Sequence, residues 1–505
     1  MKIIFIYPNV GSQLGFNYGV SYIAAVLKQA GHHVEFRQIC EDLEPLPTKN
    51  EFLQYLKDVN PDIIGFSVVT NQWRYATKLA NWAREALTVP LVCGGIHATL
   101  AAKEILETGA FDYVFLGESE EAFLEFVEKT SKNESVQHVQ NMGMVINGEI
   151  QINPVRPLPD LQCLPVKAYE IFDFQKIIDA KNGWVGLMAS RGCPFKCTYC
   201  FNPLMVNKYR NDLQCSFNQL NYIRHHSVKQ IIDEIIFLQE NYKNISTYIF
   251  DDDLFTYDKD YVEEFCKTYK KVTDIPFVVN AHVGFFDETR ARYLADAGCR
   301  IVKFGLESGS DKIRSKVMNR HMSNEKIMEA INYVHQYHMH SSVFIIIGLP
   351  NEGRDDVMDT ITFLSKLKPG RFRWTFFFPF PGTELYQMSL DGGYINKEKV
   401  GELMNFTDES ALDFGEEHNL FLEKVGRVMP WFVNSYADFD ASPIYNRKVN
   451  EILKMDRREW EKVSPTLLDE DKIISAQLKK KNKTHYAVKY NRFMGVISDY
   501  FMNEK

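Results

Sequence analysis

What these 505 residues lack narrows the field first. No apolar run approaches the ~20 residues that cross a bilayer as a helix, so no membrane span is expected. The opening "MKIIFIYPNVG" is apolar but shorter than an export signal and has no small-residue cleavage pattern; it reads as a first β-strand. Positive charge is not in excess: 58 Lys and Arg stand against 66 Asp and Glu, a formal net charge of -8. That balance gives no general attraction to nucleic acid. No GxGxxG follows the first strand-like segment, which disfavours a dinucleotide. Tandem repeats, low-complexity tracts and any helix-turn-helix output module are absent as well. Nine cysteines without an export signal point to reduced thiols in the cytoplasm. There, closely set cysteines bind metal or do redox work rather than form disulfides.

What is present begins with rhythm. The length calls for two or three domains. Residues 1–130 alternate short apolar runs ("KIIFIYP", "DIIGFSVVT", "PLVCGGIH") with amphipathic helical segments, giving five strands and five helices. This is the α/β pattern of a doubly wound parallel sheet of flavodoxin-like type, its strands buried on both faces. Residues 131–180 are proline-containing and read as a linker with one hairpin-like stretch, "GMVINGEIQI". Residues 181–390 resume the alternation with six strand candidates, from "WVGLMAS" to "RWTFFFPF". Six βα units are too few for a closed eight-fold barrel and predict a partial (βα)6 barrel with an open side. Residues 391–505 read as a helical region that covers that opening, and "LKKKNKTH" within it as a solvated helix end.

Ligands of open α/β sheets bind beyond the carboxyl ends of the strands. In the first domain that rim collects Ser67, Thr70, Gly94, Gly95, Gly117 and Ser119, with His97 and Glu118. The glycines either let backbone approach a bulky ligand or simply cap strand ends.

The densest signal is "RGCPFKCTYCFNP", residues 191–203, with Cys193, Cys197 and Cys200. Spacing of four and three also describes a helix face, but Pro203 is expected to end any helix begun at Pro194, leaving two turns at most. A redox pair needs only Cys197 and Cys200 and leaves Cys193 unexplained. Zinc would need a distant fourth ligand such as Cys215 or His225. Three thiolates with no nearby fourth suit an iron–sulfur cluster with one iron open to substrate.

CxxxCxxC with Tyr199 before the last cysteine, at the end of the first of six βα units, resembles the radical S-adenosylmethionine superfamily. "FDDDLFT", "FGLESGS", "IIIGLPNE" and "PFPGTELY", with "GGIHAT" and "LGESEEAF" upstream, resemble its cobalamin-binding branch over about residues 1–390. The resemblance implies a 4Fe–4S cluster on the three cysteines, S-adenosylmethionine chelated to the open iron, and sulfonium cleavage to a 5′-deoxyadenosyl radical. It implies Tyr199 near the adenine and the "GLPNE" turn at Gly348 against it. Glu307, Ser308 and the acidic run from Asp251 through Asp252 and Asp253 would serve the ribose and methionyl amine, with helix N-capping as the competing role of these carboxylates. Cobalamin would bind at the first domain's rim. The DxHxxG motif that supplies a lower cobalt ligand is absent from residues 1–130, so that face would be open, watered or met by another side chain, or else the domain survives only as scaffold.

The expected activity is methylation of an unactivated carbon in a small molecule or peptide. An electron donor such as flavodoxin or ferredoxin would be the partner. The alternatives are a cobalamin-dependent cyclisation or rearrangement without methyl transfer, and a metal-stabilised cobalamin carrier or sensor. No catalytic side chain is assigned.

Overall fold

The computed structural model describes residues 1–12, 14–396, 399–400, 403, 409–491 and 496–501, with side chains to residue 488. The chain divides into two compact units. The first comprises Met1–Phe195, Cys200–Ser246 and Phe380–Thr383; the second comprises Lys196–Tyr199, Thr247–Pro379 and Glu384–Lys505.

The first unit is built on a seven-stranded sheet. Five strands, β1 (Lys2–Pro8), β2 (His33–Ile39), β3 (Ile63–Ser67), β4 (Leu91–Gly94) and β5 (Tyr113–Phe115), pair in parallel in the order 2-1-3-4-5. This is the flavodoxin-like order, with its switch point between β1 and β3. Ile3, Phe5, Val34, Ile63 and Val92 are buried together with residues of the flanking helices Tyr18–Gln29 and Glu120–Ser131. The hairpin in the stretch read as a linker continues this sheet. Strands β6 (Met142–Ile146) and β7 (Glu149–Ile152) add antiparallel beyond β5, joined by Asn147 and Gly148 at φ +52° and +84°. Two left-handed residues make the tight turn whose twist matches a hairpin. The same unit holds β8 (Trp184–Leu187) and a short ladder in which β9 (Ser190–Arg191) opposes β10 (Arg224–His225).

The second unit carries five parallel strands in sequential order: β11 (Thr247–Phe250), β12 (Phe277–Ala281), β13 (Cys299–Glu307), β14 (His340–Ile347) and β15 (Arg371–Phe376). Helices connect them, as parallel pairing requires. On β15, Trp374 and Phe376 face the helix Glu416–Tyr436. The Trp374 indole donates to Gly426 O at 2.7 Å, and a Cβ at Gly426 would lie 2.5 Å from the Phe376 ring. That helix breaks its regular dihedrals at Val428, just before Pro430, whose ring obstructs the preceding turn. The C-terminal region is not helical throughout: β16 (Tyr486–Asn491) and β17 (Val496–Phe501) form an antiparallel ribbon added to β15. Among the described residues no helix is long and apolar enough to cross a membrane.

Candidate cluster and cofactor site

The cysteine turn is entered from β9 through Gly192, at φ +97°, where a Cβ would collide with the backbone oxygen of Tyr222. Only glycine accepts both the dihedral and the approach. No helix runs through the three cysteines. Pro203 opens a helix, Asn202–Leu213, instead of ending one as the spacing had suggested. Proline suits the first turn, where its missing N–H has no partner to lose. Cys193 and Cys200 are half-buried, Cys197 is buried, and none is in a disulfide.

The sulfurs of Cys197 and Cys200 receive N–H donors. In the first unit, Asn202 points its backbone N–H and its Nδ2 at Cys200 Sγ, at 3.4 and 3.6 Å, and the Tyr222 hydroxyl fixes that amide by donating to Asn202 Oδ1 at 2.6 Å. In the second unit, the Arg320 guanidinium donates to Cys197 Sγ at 3.4 Å and to the Tyr199 hydroxyl at 3.3 Å, with its other nitrogen on Gly305 O at 2.6 Å. Thr198 secures the segment by donating to Val317 O at 2.6 Å, while its N–H reaches Met318 O. Donors aimed at sulfur favour the thiolate that binds iron. Among the described residues no three His, Cys, Asp or Glu side chains group as one metal ion needs. Each cysteine of a cubane holds a separate iron, so a cluster does not need its ligands grouped as a single ion does.

Glu307 ends β13 in the left-handed region, φ +65°, after a register shift beyond Gly305. A Cβ at Gly305 would overlap the Glu307 carboxylate. Burial raises the Glu307 pKa, opposed by Arg320 and by the Tyr199 hydroxyl. Burial also works against the Arg320 charge, but Tyr199, Glu307 and Cys197 outweigh it and hold the guanidinium firmly protonated. A strained backbone that aims a buried carboxylate at a fixed cation is the kind of outlier that accompanies function.

The other expected contacts of this unit divide. Asp252 is fully buried and its backbone oxygen accepts from Asn280 at 2.9 Å, whereas Asp251 and Asp253 are exposed. Ser308 is buried with its hydroxyl shared with Thr360 at 3.1 Å and accepting from Ser310 N. Gly348, at φ +73°, donates its N–H to Glu352 Oε2 at 2.6 Å, as does Leu349 at 3.2 Å. Burial pushes the Glu352 carboxyl up to about 8 despite those two donors, and its Oε1 has no partner among the described residues.

At the rim of the first unit, Ser67 Oγ accepts from Asn17 Nδ2 at 3.0 Å, and Thr70 meets His97 Nδ1 at 3.3 Å. Burial lowers His97 to about 4, so its imidazole is neutral at pH 7. Gly95 serves the strand end, because a Cβ there would lie 2.7 Å from Val68 O; Gly94 is open, with Phe66 O at 3.8 Å as its nearest neighbour. Ser67 and Thr70 flank the switch point opposite the loop after β1, which Gln72 braces by accepting from Val10 N at 3.1 Å and donating to Val10 O at 2.7 Å. This open, largely uncharged edge fits a bulky ligand such as cobalamin.

Gly117 and Glu118 are placed differently. A Cβ at Gly117 would strike the Tyr209 hydroxyl, which accepts from the Glu118 N–H at 2.9 Å. The Glu118 carboxylate is taken by Arg191, at 2.5 Å, and by both terminal nitrogens of Arg224. Ser119 donates to Leu116 O at 3.2 Å. Arg191, Asn202, Tyr209, Arg224, Arg320 and Glu352 went unmarked in the sequence. Arg191 had one signal, its place directly before Gly192 and Cys193.

A family model described as the radical SAM superfamily matches residues 187–364, and one described as a B12-binding domain matches residues 10–127. An uncharacterized methyltransferase of Pyrococcus horikoshii is 27% identical over 430 residues, spanning 81% of this chain and 89% of that protein. Cytidylyl-2-hydroxyethylphosphonate methyltransferase of Streptomyces wedmorensis is 26% identical over 440 residues, spanning 75% and 79%. Among solved structures, the cobalamin-dependent S-adenosylmethionine radical enzyme OxsB with aqua-cobalamin bound shares the fold at TM-score 0.64 and 16% identity, over 95% of this chain and 72% of that one. With the CxxxCxxC turn and an open rim at a flavodoxin-like switch point, the chain joins a domain matching the radical SAM superfamily to one matching a B12-binding domain.

Proposed function

We propose that this enzyme methylates an unactivated carbon of a small-molecule or peptide substrate, using S-adenosylmethionine and cobalamin, with electrons from a flavodoxin- or ferredoxin-like donor. The observation that carries this reading is the coexistence of a cysteine turn furnished with N–H donors to sulfur and an open glycine edge on the B12-binding sheet. The names of the two curated relatives favour methyl transfer over cyclisation.

Bound together, cluster, S-adenosylmethionine and cobalamin supply reductive cleavage of a sulfonium and carriage of a methyl group. The chain's residues do the rest. Cys193, Cys197 and Cys200 hold three irons and leave the fourth open. The Arg320 cation and the Glu307 carboxylate, held by Tyr199, offer opposite charges to a zwitterionic methionyl group. Gly348 backbone and the buried, largely protonated Glu352 shape an uncharged wall suited to adenine. Asp252, buried just after β11, is the first candidate for the ribose hydroxyls, while Asp253 and Ser308 are secondary candidates. Ser67, Thr70, Gly94 and neutral His97 form the cobalamin edge.

The test is anaerobic turnover with S-adenosylmethionine labelled in its methyl group, against small-molecule and peptide candidate substrates. Labelled product with 5′-deoxyadenosine release is expected. Release of 5′-deoxyadenosine with unlabelled, rearranged product would replace methylation by cyclisation or rearrangement. A colourless, zinc-loaded protein would support the carrier instead.

A further inference from the structure

Both flanks of the cysteine turn rest on one loop of the B12-binding sheet. On the entry side, Arg191 stands two residues before Cys193 and donates from Nη1 to Glu118 Oε2 at 2.5 Å and to Glu120 Oε1 at 2.9 Å. Opposite it in the two-residue ladder, Arg224 grips the same Glu118 and donates to Pro159 O at 2.6 Å. On the exit side, the helix that follows Cys200 carries Tyr209, whose hydroxyl accepts the Glu118 N–H and fills the space beside Gly117. The Glu118, Glu120, Arg191 and Arg224 side chains are all less than a fifth exposed, and two cations balance two carboxylates. Burial opposes the Glu118 charge, but Arg191 and Arg224 outweigh it and keep the carboxyl below its usual range.

The geometry points to the Gly117–Glu120 loop as the seat of the cluster-binding turn: Glu118 is a positioning residue that fixes Cys193 and Cys200 through Arg191, Arg224 and Tyr209, and is not a cobalamin contact. Its carboxylate oxygens already accept from two guanidinium groups, which leaves little capacity for a ligand. The inference rests on the three cysteines holding the cluster. It adds that the charge state of this loop is felt there, because buried charges near an iron–sulfur centre are weakly screened and set its potential.

The experiment uses the full chain reconstituted anaerobically with iron and sulfide. It reads iron content, the electron paramagnetic resonance spectrum of the reduced cluster, its midpoint potential, and aqua-cobalamin affinity by absorption titration. Glu118→Gln leaves an excess cation and should raise the potential. Arg191→Met leaves an excess anion and should lower it. Each shift should correspond to a several-fold change in the reduction equilibrium, where a tenfold change is about 59 mV for a one-electron couple. Cobalamin affinity should stay within about twofold in both variants, and Glu121→Gln, exposed in the first turn of the helix that follows the loop, should change nothing. Should Glu118→Gln fail to fold, Tyr209→Phe removes one acceptor and no charge; it should alter the spectrum or occupancy of the cluster and leave cobalamin affinity intact. Shifts of the same sign, an unaltered cluster, or a tenfold loss of cobalamin affinity in Glu118→Gln or Tyr209→Phe would overturn the inference. A wild-type chain that binds no cluster, or a Cys193→Ala chain that keeps one intact, overturns the underlying reading instead.

Discussion

Two of the buried acid–base groups among the described residues are built to opposite specifications. In the first unit, Glu118 and Glu120 meet Arg191 and Arg224, and Glu118 has partners on both oxygens. In the second, Glu307 faces Arg320 from a left-handed backbone, and in the same unit Glu352 keeps one carboxylate oxygen without a partner among the described residues. A polar group buried for architecture is satisfied, because an unmet donor or acceptor costs about 1–3 kcal/mol. Unmet capacity and strain persist where a ligand is to be received. Glu120 Oε2 and Arg224 Nε lack a partner among the described residues, so it is the doubly held Glu118 carboxylate that we assign to the scaffold, and the strained Glu307 that we propose for the site.

The contrast breaks most visibly at Arg224. Arg224→Met strips Glu118 of one cation in a buried setting and should lower unfolding stability by about 3–5 kcal/mol, read as a fall in the urea midpoint. The next effect belongs to Glu352. Its folded pKa of about 8 lies above the ordinary value of 4.5, so it imposes no penalty below pH 4.5 and an increasing one as the pH rises toward 8. Glu352→Gln keeps an acceptor for Gly348 and Leu349 and should flatten that loss, leaving the variant more stable than wild type at pH 8.5 by ~5 kcal/mol at most. Thermal unfolding across pH 5–9 checks this, and parallel curves for the two proteins would refute it.

Arg320→Met tests the receiving side. It should weaken S-adenosylmethionine binding about tenfold or more, as loss of a charge-assisted hydrogen bond of ~1.5–3 kcal/mol implies, with less damage to stability than Arg224→Met. Calorimetric titration of the reconstituted protein measures it. The smallest effect is expected at Asn202→Ala, which removes the side-chain N–H donor to Cys200 and should lower the cluster potential with iron content unchanged.

Much of this was readable from residues alone. The five parallel strands of the first sheet and the strand series of the second appear as apolar runs at regular spacing, and the three cysteines name their own chemistry. The C-terminal ribbon was missed because "HYAVKYNRFMGVISDYF" is aromatic without a clear two-residue period, so it read as part of a helical region. Arg320 was missed for a different reason. It lies 15 residues beyond Gly305 and 121 beyond Tyr199, in a loop with no pattern of its own. Gly117 and Glu118 were placed on the correct edge, but nothing local in the sequence shows that Tyr209 and two arginines fill their surroundings.

The sequence by itself determined the alternation of strands and helices, the parallel architecture that follows from it, and the thiol spacing on which the proposed cluster rests. Hydrophobic period, glycine position and thiol spacing are all local properties. Only the tertiary structure decided which carboxylate is scaffold and which is site. That choice depends on which cations, hydroxyls and backbone donors arrive from distant segments. For a buried charge those partners set whether it is satisfied or left with capacity for a ligand.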